Sequence, residues 1–288
     1  MNTAGVDFAA ALETSLARAA ASGALQRIET ESVTVSDGGI AFCVRWLSTL
    51  VQKERAAGAP GAAQKSAADP FLPPEPDLRV ADISATHVAL LNKYPVIAGH
   101  LLIVTRHYAE QESVLDTADF AALAAVMQQL PGLAFFNGGR IAGASQSHKH
   151  LQFAALDPLP LAAILPHQPT PLVARQLPQL PFRHAWLALP AAAPADLAEL
   201  LHSAADMALA ECGLRPQAGR MRPYNLLATR DWLMAVPRRQ EFFEHAGMRV
   251  PVNALGFAGS LFVRRNEDIA VVRQVGPLAV LRAVAEGD

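Results

Sequence analysis

The sequence predicts an α+β protein: an antiparallel sheet carrying helices, arranged as two related halves. Two observations point to it. Short apolar segments of strand length occur in pairs across turn-length gaps, and stretches of helical spacing stand between the pairs. One hairpin also echoes another. Val88-Ala89-Leu90-Leu91-Asn92 followed by Leu101-Leu102-Ile103-Val104-Thr105-Arg106-His107 resembles Tyr224-Asn225-Leu226-Leu227-Ala228 followed by Leu233-Met234-Ala235-Val236-Pro237-Arg238-Arg239. Both end in a basic cluster. The echo divides the chain into 1–160 and 161–288, and only the first half carries the polar row described below. Chance likeness between hairpins is the alternative.

Residues 7–26 bring Phe8, Leu12, Leu16, Ala19 and Leu25 near helical spacing and predict an amphipathic helix. Residues 28–35 and 40–47 alternate as two strands across Ser36-Asp37-Gly38-Gly39. Residues 55–76 hold Gly58, Pro60, Gly61, Pro70, Pro73, Pro74 and Pro76 and predict a loop. Residues 86–94 and 101–105 make a hairpin. Residues 117–130 predict a helix opened by Asp116 or Thr117. Residues 133–153 read as strand, glycine turn, strand, with Gly138 and Gly139 in the turn. A proline-rich crossing follows at 158–181, then a helix at 195–212 ended by Gly213. Residues 224–228 and 232–236 make a further hairpin, 253–263 a glycine-broken strand and 276–286 a last helix. The stretch 224–263 is expected to lay a second hairpin sheet beside the first, with Asn253 and Arg264 on the wall of one shared cleft.

At 288 residues, 51% hydrophobic and 17% charged, the chain can bury a substantial core in one large or two modest domains. A net charge of −2 gives no global basic footprint for nucleic acid, though it leaves room for a local anion pocket. No run approaches the ~18–20 apolar residues of a membrane span. The start, with Asp7 and Glu13, lacks a signal-peptide pattern, so a cytoplasmic setting is expected. Cys43 and Cys212 match no Cys-x-x-Cys pattern and are expected to be reduced, buried thiols.

The most informative stretch is Gly143-Ala144-Ser145-Gln146-Ser147-His148-Lys149-His150-Leu151-Gln152. His148, His150 and Gln152 recur at every second residue, which on an extended strand puts all three on one face. Two imidazoles and an amide on one face, fed by a Gly- and Ser-containing turn, suit attack on phosphorus: one ring as nucleophile, the neighbours as donors to phosphate oxygens. A His-x-His pair also serves to hold a metal, or serves no chemistry at all. Asn137 and Ser145 upstream favour the first reading.

With Asn137, the Gly143–Gln146 turn and the His148-Lys149-His150-Leu151-Gln152 strand, segment 133–153 resembles the histidine-triad superfamily. The match is to the branch with Gln in the last slot, shared by galactose-1-phosphate uridylyltransferases and diadenosine tetraphosphate phosphorylases (ATP adenylyltransferases). Leu90-Leu91-Asn92-Lys93-Tyr94, His100–Thr105, Tyr224-Asn225-Leu226-Leu227 and Asn253-Ala254-Leu255-Gly256-Phe257-Ala258-Gly259-Ser260 resemble the phosphorylases, over roughly 28–270. The uridylyltransferases usually carry metal sites built partly from cysteine, which two isolated cysteines do not offer.

The resemblance implies a histidine-triad-like sheet whose two halves form one nucleotide cleft. It implies phosphorolysis of diadenosine tetraphosphate to ADP and ATP. His150 would be an exposed nucleophile that becomes adenylylated, His148 its charge-supporting neighbour and Gln152 a donor to phosphate oxygens. Asn137 and Ser145 would fix the loop and contact phosphate, and the amides of Gly143, Ala144, Ser145 and Gln146 would form an anion nest. Further nucleotide contacts would come from Asn92, Lys93, Asn253, Ala254, Leu255, Ser260 and Arg264, the last standing where the family tends to carry Lys. For a phosphate-contacting lysine, Lys53 and Lys65 compete. His100 and His107 read as structural. Arg238 and Arg239 read either as a solvated turn or as part of the phosphate cradle. No covalent cofactor or protein-bound metal is expected, with Mg2+ arriving on the nucleotide. The partners would be nucleotides only, with no nucleic acid and no membrane, for a monomer or homodimer. Another nucleotidyltransferase, acting on a sugar phosphate or adenylyl sulfate, and a nucleotide-binding regulator without turnover are the alternatives.

Overall fold

A computed structural model describes residues 6–47, 69–156 and 158–287. Eight strands form one sheet. In chain order they are β3 (Arg79–Asp82), β4 (His87–Leu91), β5 (Leu101–Thr105), β6 (Leu133–Gly138), β7 (His150–Ala154), β8 (Ala185–Ala188), β9 (Tyr224–Ala228) and β10 (Trp232–Pro237). In space they run β3-β4-β5-β7-β6-β9-β10-β8, and every neighbouring pair is antiparallel. A smaller sheet holds β1 (Thr30–Asp37), β2 (Ile40–Leu47) and β13 (Ser260–Val263), and β11 (Phe242–His245) pairs with β12 (Met248–Pro251).

The large sheet is nearly all apolar because both faces are covered over most of its width. Side chains alternate between faces. One row crosses seven strands in register: Leu90, Leu102, Gln152, Phe135, Leu227, Met234 and Trp186. A single polar residue sits in that row, and it is Gln152. The opposite face presents Leu91, Leu101, Ile103, Leu151, Phe153, Leu226 and Leu233 to three helices, α1 (Phe8–Ala21), α2 (Thr117–Met127) and α3 (Leu197–Glu211). Asp116 caps α2 and, with Asp119, completes a reciprocal capping box. On the row's own face, Leu227, Met234 and Trp186 lie under an apolar core that includes Phe182, Phe257 and Leu261. The β4–β5 end of that face carries only the small cluster Phe71, Val88, Leu90, Leu102 and Val104. The site lies there.

The two-fold echo exists in the topology, with a different pairing from the one the sequence suggests. The unit β5-α2-β6-β7, ordered β5-β7-β6 in the sheet, is repeated by β8-α3-β9-β10, ordered β8-β10-β9. The counterpart of the His-x-His strand is therefore β10, whose site-face positions are the apolar Met234 and Val236. The expected second sheet beside the first is corrected likewise. Hairpin β9–β10 extends the same sheet, because β9 pairs with β6 from Ala134↔Ala228 to Gly138↔Tyr224.

Other expectations change for local reasons. Residues 253–263 are not one strand: Asn253 accepts the Leu255 N–H and caps a single helical turn, α4 (Ala254–Phe257), before β13 begins. Helix α5 (Asn266–Val275) was unexpected, and α6 (Pro277–Val284) starts with Pro at its first turn, where no N–H is needed. Of the loop read at 55–76, residues 55–68 lie outside the described residues. Cys212 is a buried free thiol, whereas Cys43 is only half-buried.

One buried cation joins the halves. Arg238, 2% exposed, donates through Nη1 to Asn225 Oδ1 at 2.6 Å and to the Ala142 carbonyl at 3.2 Å. Its Nη2 reaches the carbonyls of Gln240 and Val252, both at 2.9 Å, and Nε that of Val284 at 3.2 Å. Burial pushes its pKa down to about 9, which leaves it charged at neutral pH. Arg238→Met should lower unfolding free energy by roughly 3–5 kcal/mol, since several buried oxygens lose their donor together. Arg239→Met, which removes an exposed bond to Ala283, should cost under about 1 kcal/mol. Denaturant midpoints of the two variants check this.

Candidate active site

The site forms where β6 and β7 part. Their ladder ends at Phe135↔Gln152. Beyond it the Gln111 side chain, 3% exposed, replaces the missing strand bonds. Its Oε1 accepts the His150 N–H at 2.8 Å, and its Nε2 donates to the carbonyls of His150 at 3.1 Å and Asn137 at 2.9 Å. The backbone of His150 is thus satisfied where the two strands part.

His150 is 3% exposed, which corrects the expectation of an exposed ring. Its Nδ1 lies 2.8 Å from the carbonyl oxygen of His148. A carbonyl can only accept, so the proton of the neutral ring sits on Nδ1 and the Nε2 lone pair is left free. Burial lowers the ring's pKa to about 4 against the opposing pull of that carbonyl, so it is neutral at pH 7. His148 therefore acts on His150 through its backbone. Its own ring is held at both ends: Nδ1 is 2.6 Å from the Asp69 carboxylate, and Nε2 is 2.9 Å from both the carbonyl and hydroxyl oxygens of Thr105. Phe71 packs against both rings, with centroids 5.5 Å from each.

Gln152 is oriented by a chain of donors. The Tyr94 N–H donates to Asn92 Oδ1 at 3.0 Å, which turns the Asn92 amide nitrogen towards His100 Nδ1 at 3.1 Å. An Nδ1 that accepts leaves the proton of neutral His100 on Nε2, which is 2.9 Å from Gln152 Oε1. The Gln152 NH2 is then turned away from His100, free to donate to a ligand. Burial lowers His100 to about 4, partly offset by its bond to Gln152, and keeps it in the neutral form this chain requires.

A cavity of about 370 Å³ receives these groups. His150, Gln152, Asn92, Lys93, Ser145 and Gln146 line it, Leu90 and Leu102 form an apolar wall, and Phe71, Pro73 and Glu75 roof it. Lys93 forms a 2.6 Å ion pair with Glu75, whose hydrogen bond holds the ammonium above its ordinary pKa. Beneath the strand, Lys149 points to the other face and pairs with buried Asp119, which also takes a 3.0 Å bond from His87. That cluster ties the His-x-His strand to α2.

The other anticipated residues sit behind the loop or away from it. Asn137 Oδ1 accepts from Asn225 Nδ2 at 2.8 Å and from the Ala254 N–H at 2.9 Å, leaving only its NH2 for a ligand. Gly143 has φ +93, and a Cβ there would come 2.7 Å from Asn253 Cβ. Asn253, Ala254 and Leu255 thus buttress the loop from behind and line neither cavity beside it. Ser260 is buried in β13, opposite Cys43, and Arg264 is exposed at the end of that strand. Ser260 belongs to the small sheet and Arg264 follows its strand, neither lines a cavity beside His150, and their expected place on the cleft wall is corrected accordingly. Gly143 and Ala144 use their own amides on the carbonyls of Arg140 and Gly139. The anion nest thereby narrows to the amides of Ser145 and Gln146, which have no hydrogen-bond acceptor among the described residues. Lys53 and Lys65 lie outside the described residues.

Sequence reasoning passed over Asp69, Phe71 and Gln111, and took His100 as merely structural. No motif marks the first three. The spacing of Asn92, His100 and Gln152 on paired strands was the one signal available for the fourth. Among the described residues no group of three or more His, Cys, Asp or Glu side chains is placed to hold a metal, and no helix is long and apolar enough to cross a membrane.

A buried neutral imidazole with an open Nε2, a fixed amide donor and a glycine-rich loop meet at one cavity on an antiparallel sheet. The chain belongs to the Ap4A phosphorylase family: residues 2–174 match the Ap4A phosphorylase N-terminal domain, and residues 178–286 match the ATP adenylyltransferase C-terminal domain. Protein APA1 of Saccharomyces cerevisiae is 26% identical over 85% of this chain and 83% of its own length. Diadenosine 5',5'''-P1,P4-tetraphosphate phosphorylase 2 of the same yeast is 28% identical over 70% of this chain and 71% of its own. The crystal structure of yeast Ap4A phosphorylase Apa2 superposes with a TM-score of 0.83 at 22% identity, covering 98% of both chains. Apa2 in complex with Ap4A superposes with a TM-score of 0.73, covering 96% of this chain and 97% of that one.

The two buried neutral rings make stability pH-dependent. In the unfolded chain each titrates near 6.5, whereas His100 and His150 are lowered to about 4 in the fold. As pH falls through this window the unfolded state binds protons first, so stability should drop from about pH 6.5 towards about 4 and level off below. The double variant His100→Gln, His150→Gln should show a shallower slope in denaturant midpoint against pH. An unchanged slope would contradict the assigned neutral state.

Proposed function

We propose that this chain phosphorolyses diadenosine tetraphosphate to ADP and ATP, and in reverse joins ATP and ADP into the dinucleotide with release of phosphate. The observation that carries the reading is the unprotonated Nε2 of His150, facing the cavity while its Nδ1–H is held by the His148 carbonyl. In the first step Nε2 attacks the α-phosphorus, a P–N bond forms, the P–O bond to the other nucleotide breaks and ATP leaves. In the second an oxygen of inorganic phosphate attacks that phosphorus, the P–N bond breaks, ADP leaves and Nε2 regains its lone pair. The Gln152 NH2 and the amides of Ser145 and Gln146 would donate to the non-bridging oxygens, where charge concentrates in both transition states. The His148 carbonyl offsets the positive charge of the ring while the P–N bond exists. Leu90 and Leu102 would flank the adenine, and Asn92 and Lys93 the ribose and phosphates. Mg2+ would arrive with the nucleotide, no covalent cofactor would be needed, and the enzyme would work in the cytoplasm as a monomer or homodimer.

His150→Ala should abolish turnover, and His150→Gly with added imidazole should recover part of it. Brief incubation of the parent protein with radiolabelled dinucleotide and no phosphate should leave an acid-labile, base-stable adenylyl group on His150. Near-normal turnover by His150→Ala, or an adenylyl group on His148, would contradict the assignment.

Gln152 donates but cannot act as an acid or base at neutral pH, so it gives water no help as an acceptor. Phosphate should therefore outcompete water, and ion-exchange chromatography should find ADP plus ATP in excess of AMP plus ATP. Equal AMP release with and without phosphate would identify a hydrolase.

A further inference from the structure

After β5 the chain turns back and lays residues 109–111 along residues 147–149, just ahead of β7. The Lys149 N–H donates to the Ala109 carbonyl and the Gln111 N–H to the Ser147 carbonyl, both at 2.8 Å, with Glu110 opposite His148. The second half of the chain holds the same segment. The Met221 N–H donates to the Glu112 carbonyl at 3.0 Å, the Val114 N–H donates to the Gly219 carbonyl at 3.3 Å, and Arg220 pairs with Glu110. A second cavity, of about 590 Å³, lies beside Gln111 and shares Ser145 and Gln146 with the first. The Thr105 N–H bonds to the Lys149 carbonyl, so the N–H and C=O of the next residue, His150, face away from β5, towards the side that β6 has left. Three backbone groups converge there: the His150 N–H and the carbonyls of His150 and Asn137. A carboxamide offers one acceptor and two donors on a single planar group, which matches them, and Asn would be a methylene too short. Gln111 thereby clamps the peptide groups on both sides of His150. The bond that places the ring proton runs from Nδ1 to the carbonyl two residues earlier, so it depends on the backbone torsions between His148 and His150.

We propose that Gln111 is the positioning residue of the nucleophile: it holds His150 in the torsions that keep Nδ1–H on the His148 carbonyl and Nε2 aimed into the cavity. It acts through the backbone of His150 and reaches no reacting atom. A slack clamp would let the ring turn, and Nε2 would lose its line to phosphorus while the groups that bind the nucleotide stayed in place. The proposal takes the reaction from the phosphorolysis reading, but the geometry it assigns to His150 does not depend on which nucleotide is bound.

Two variants test it. Gln111→Ala should lower kcat on the order of a hundredfold, the scale of a small misplacement of a reacting group. KM for the dinucleotide, and AMP affinity by calorimetry, should stay those of the parent. Gln111→Glu keeps the acceptor for the His150 N–H but regains a donor only when protonated, and its anion would face two carbonyls. Burial, with Glu110 and Glu112 on either side, holds such a carboxyl above its ordinary range; Arg220 and Arg140 oppose that, and each is already beside a glutamate. The kcat of Gln111→Glu relative to the parent should therefore rise as pH falls from about 8 towards about 5 and drop again on return. A simple folding defect would not follow that cycle, and His150 and His100 stay neutral throughout it. Long-range 1H–15N spectra of histidine-labelled protein read the clamp without turnover. The Nδ1–H form of His150 should lose its dominance in Gln111→Ala at pH 7, and should return in Gln111→Glu on acidification. Parent-like kcat in Gln111→Ala, AMP affinity lost in step with kcat, parallel pH profiles for Gln111→Glu and the parent, or an unchanged His150 tautomer in both variants would each overturn the proposal. The phosphorolysis reading fails separately, as absence of phosphate-dependent ADP from the unmodified protein.

Discussion

A guanidinium buried inside a protein and bonded to no carboxylate must satisfy its donors with neutral oxygens, and those oxygens must be held where it points. Arg238 is in that position among the described residues. Its partners come from β9 (Asn225), from the turn after β6 (the Ala142 carbonyl), from the Gln240 and Val252 carbonyls around β11–β12, and from α6. Asn225 carries the constraint on to Asn137, and Asn137 to the Ala254 N–H. One charge thereby fixes the back of the 139–146 loop against both halves of the chain. The loop's front, at Ser145 and Gln146, is left to face the two cavities.

The same economy of donors and acceptors orders the protons at the site. The His148 carbonyl places the proton of His150 on Nδ1, and the Asn92 amide places that of His100 on Nε2. Two buried neutral imidazoles on adjacent strands therefore take opposite tautomers. One presents a lone pair to the ligand. The other holds Gln152 so that it presents N–H groups. Burial keeps both rings neutral at physiological pH, so the arrangement does not depend on the ring proton that a free histidine would gain near pH 6.5. The second half of the repeat shows what the site requires: Met234 and Val236 on β10 occupy the equivalent face, and apolar core fills the space above them.

Much of this was legible from local sequence. The period-two row of His148, His150 and Gln152, the hairpins around 86–105 and 224–237 and the cap at Asp116 depend on neighbouring residues alone, and the strand period or cap chemistry reveals them. What could not be read depends on which distant segments meet. Asp69 and Phe71 reach the imidazoles from a proline-rich strap with no period. Gln111 sits between two glutamates in a run that looks solvated. Ser260 ends a family-like segment and Arg264 comes soon after it, yet β13 pairs with β2, which sets Ser260 in the small sheet and Arg264 at its end. Arg238 ends a hairpin as a surface basic residue would, and only the meeting of Asn225, Val252 and Val284 around it makes it interior.

Hydrogen bonds, and not the bulk pH, fix the protons on His150 and His100. Long-range 1H–15N correlation spectra of histidine-labelled protein test it most directly, with each ring assigned through its Gln variant. At pH 7 the account predicts a neutral His150 protonated on Nδ1 and a neutral His100 protonated on Nε2, with neither titrating until the pH approaches about 4. An imidazolium signal from His150 at neutral pH, or the same tautomer on both rings, would contradict it.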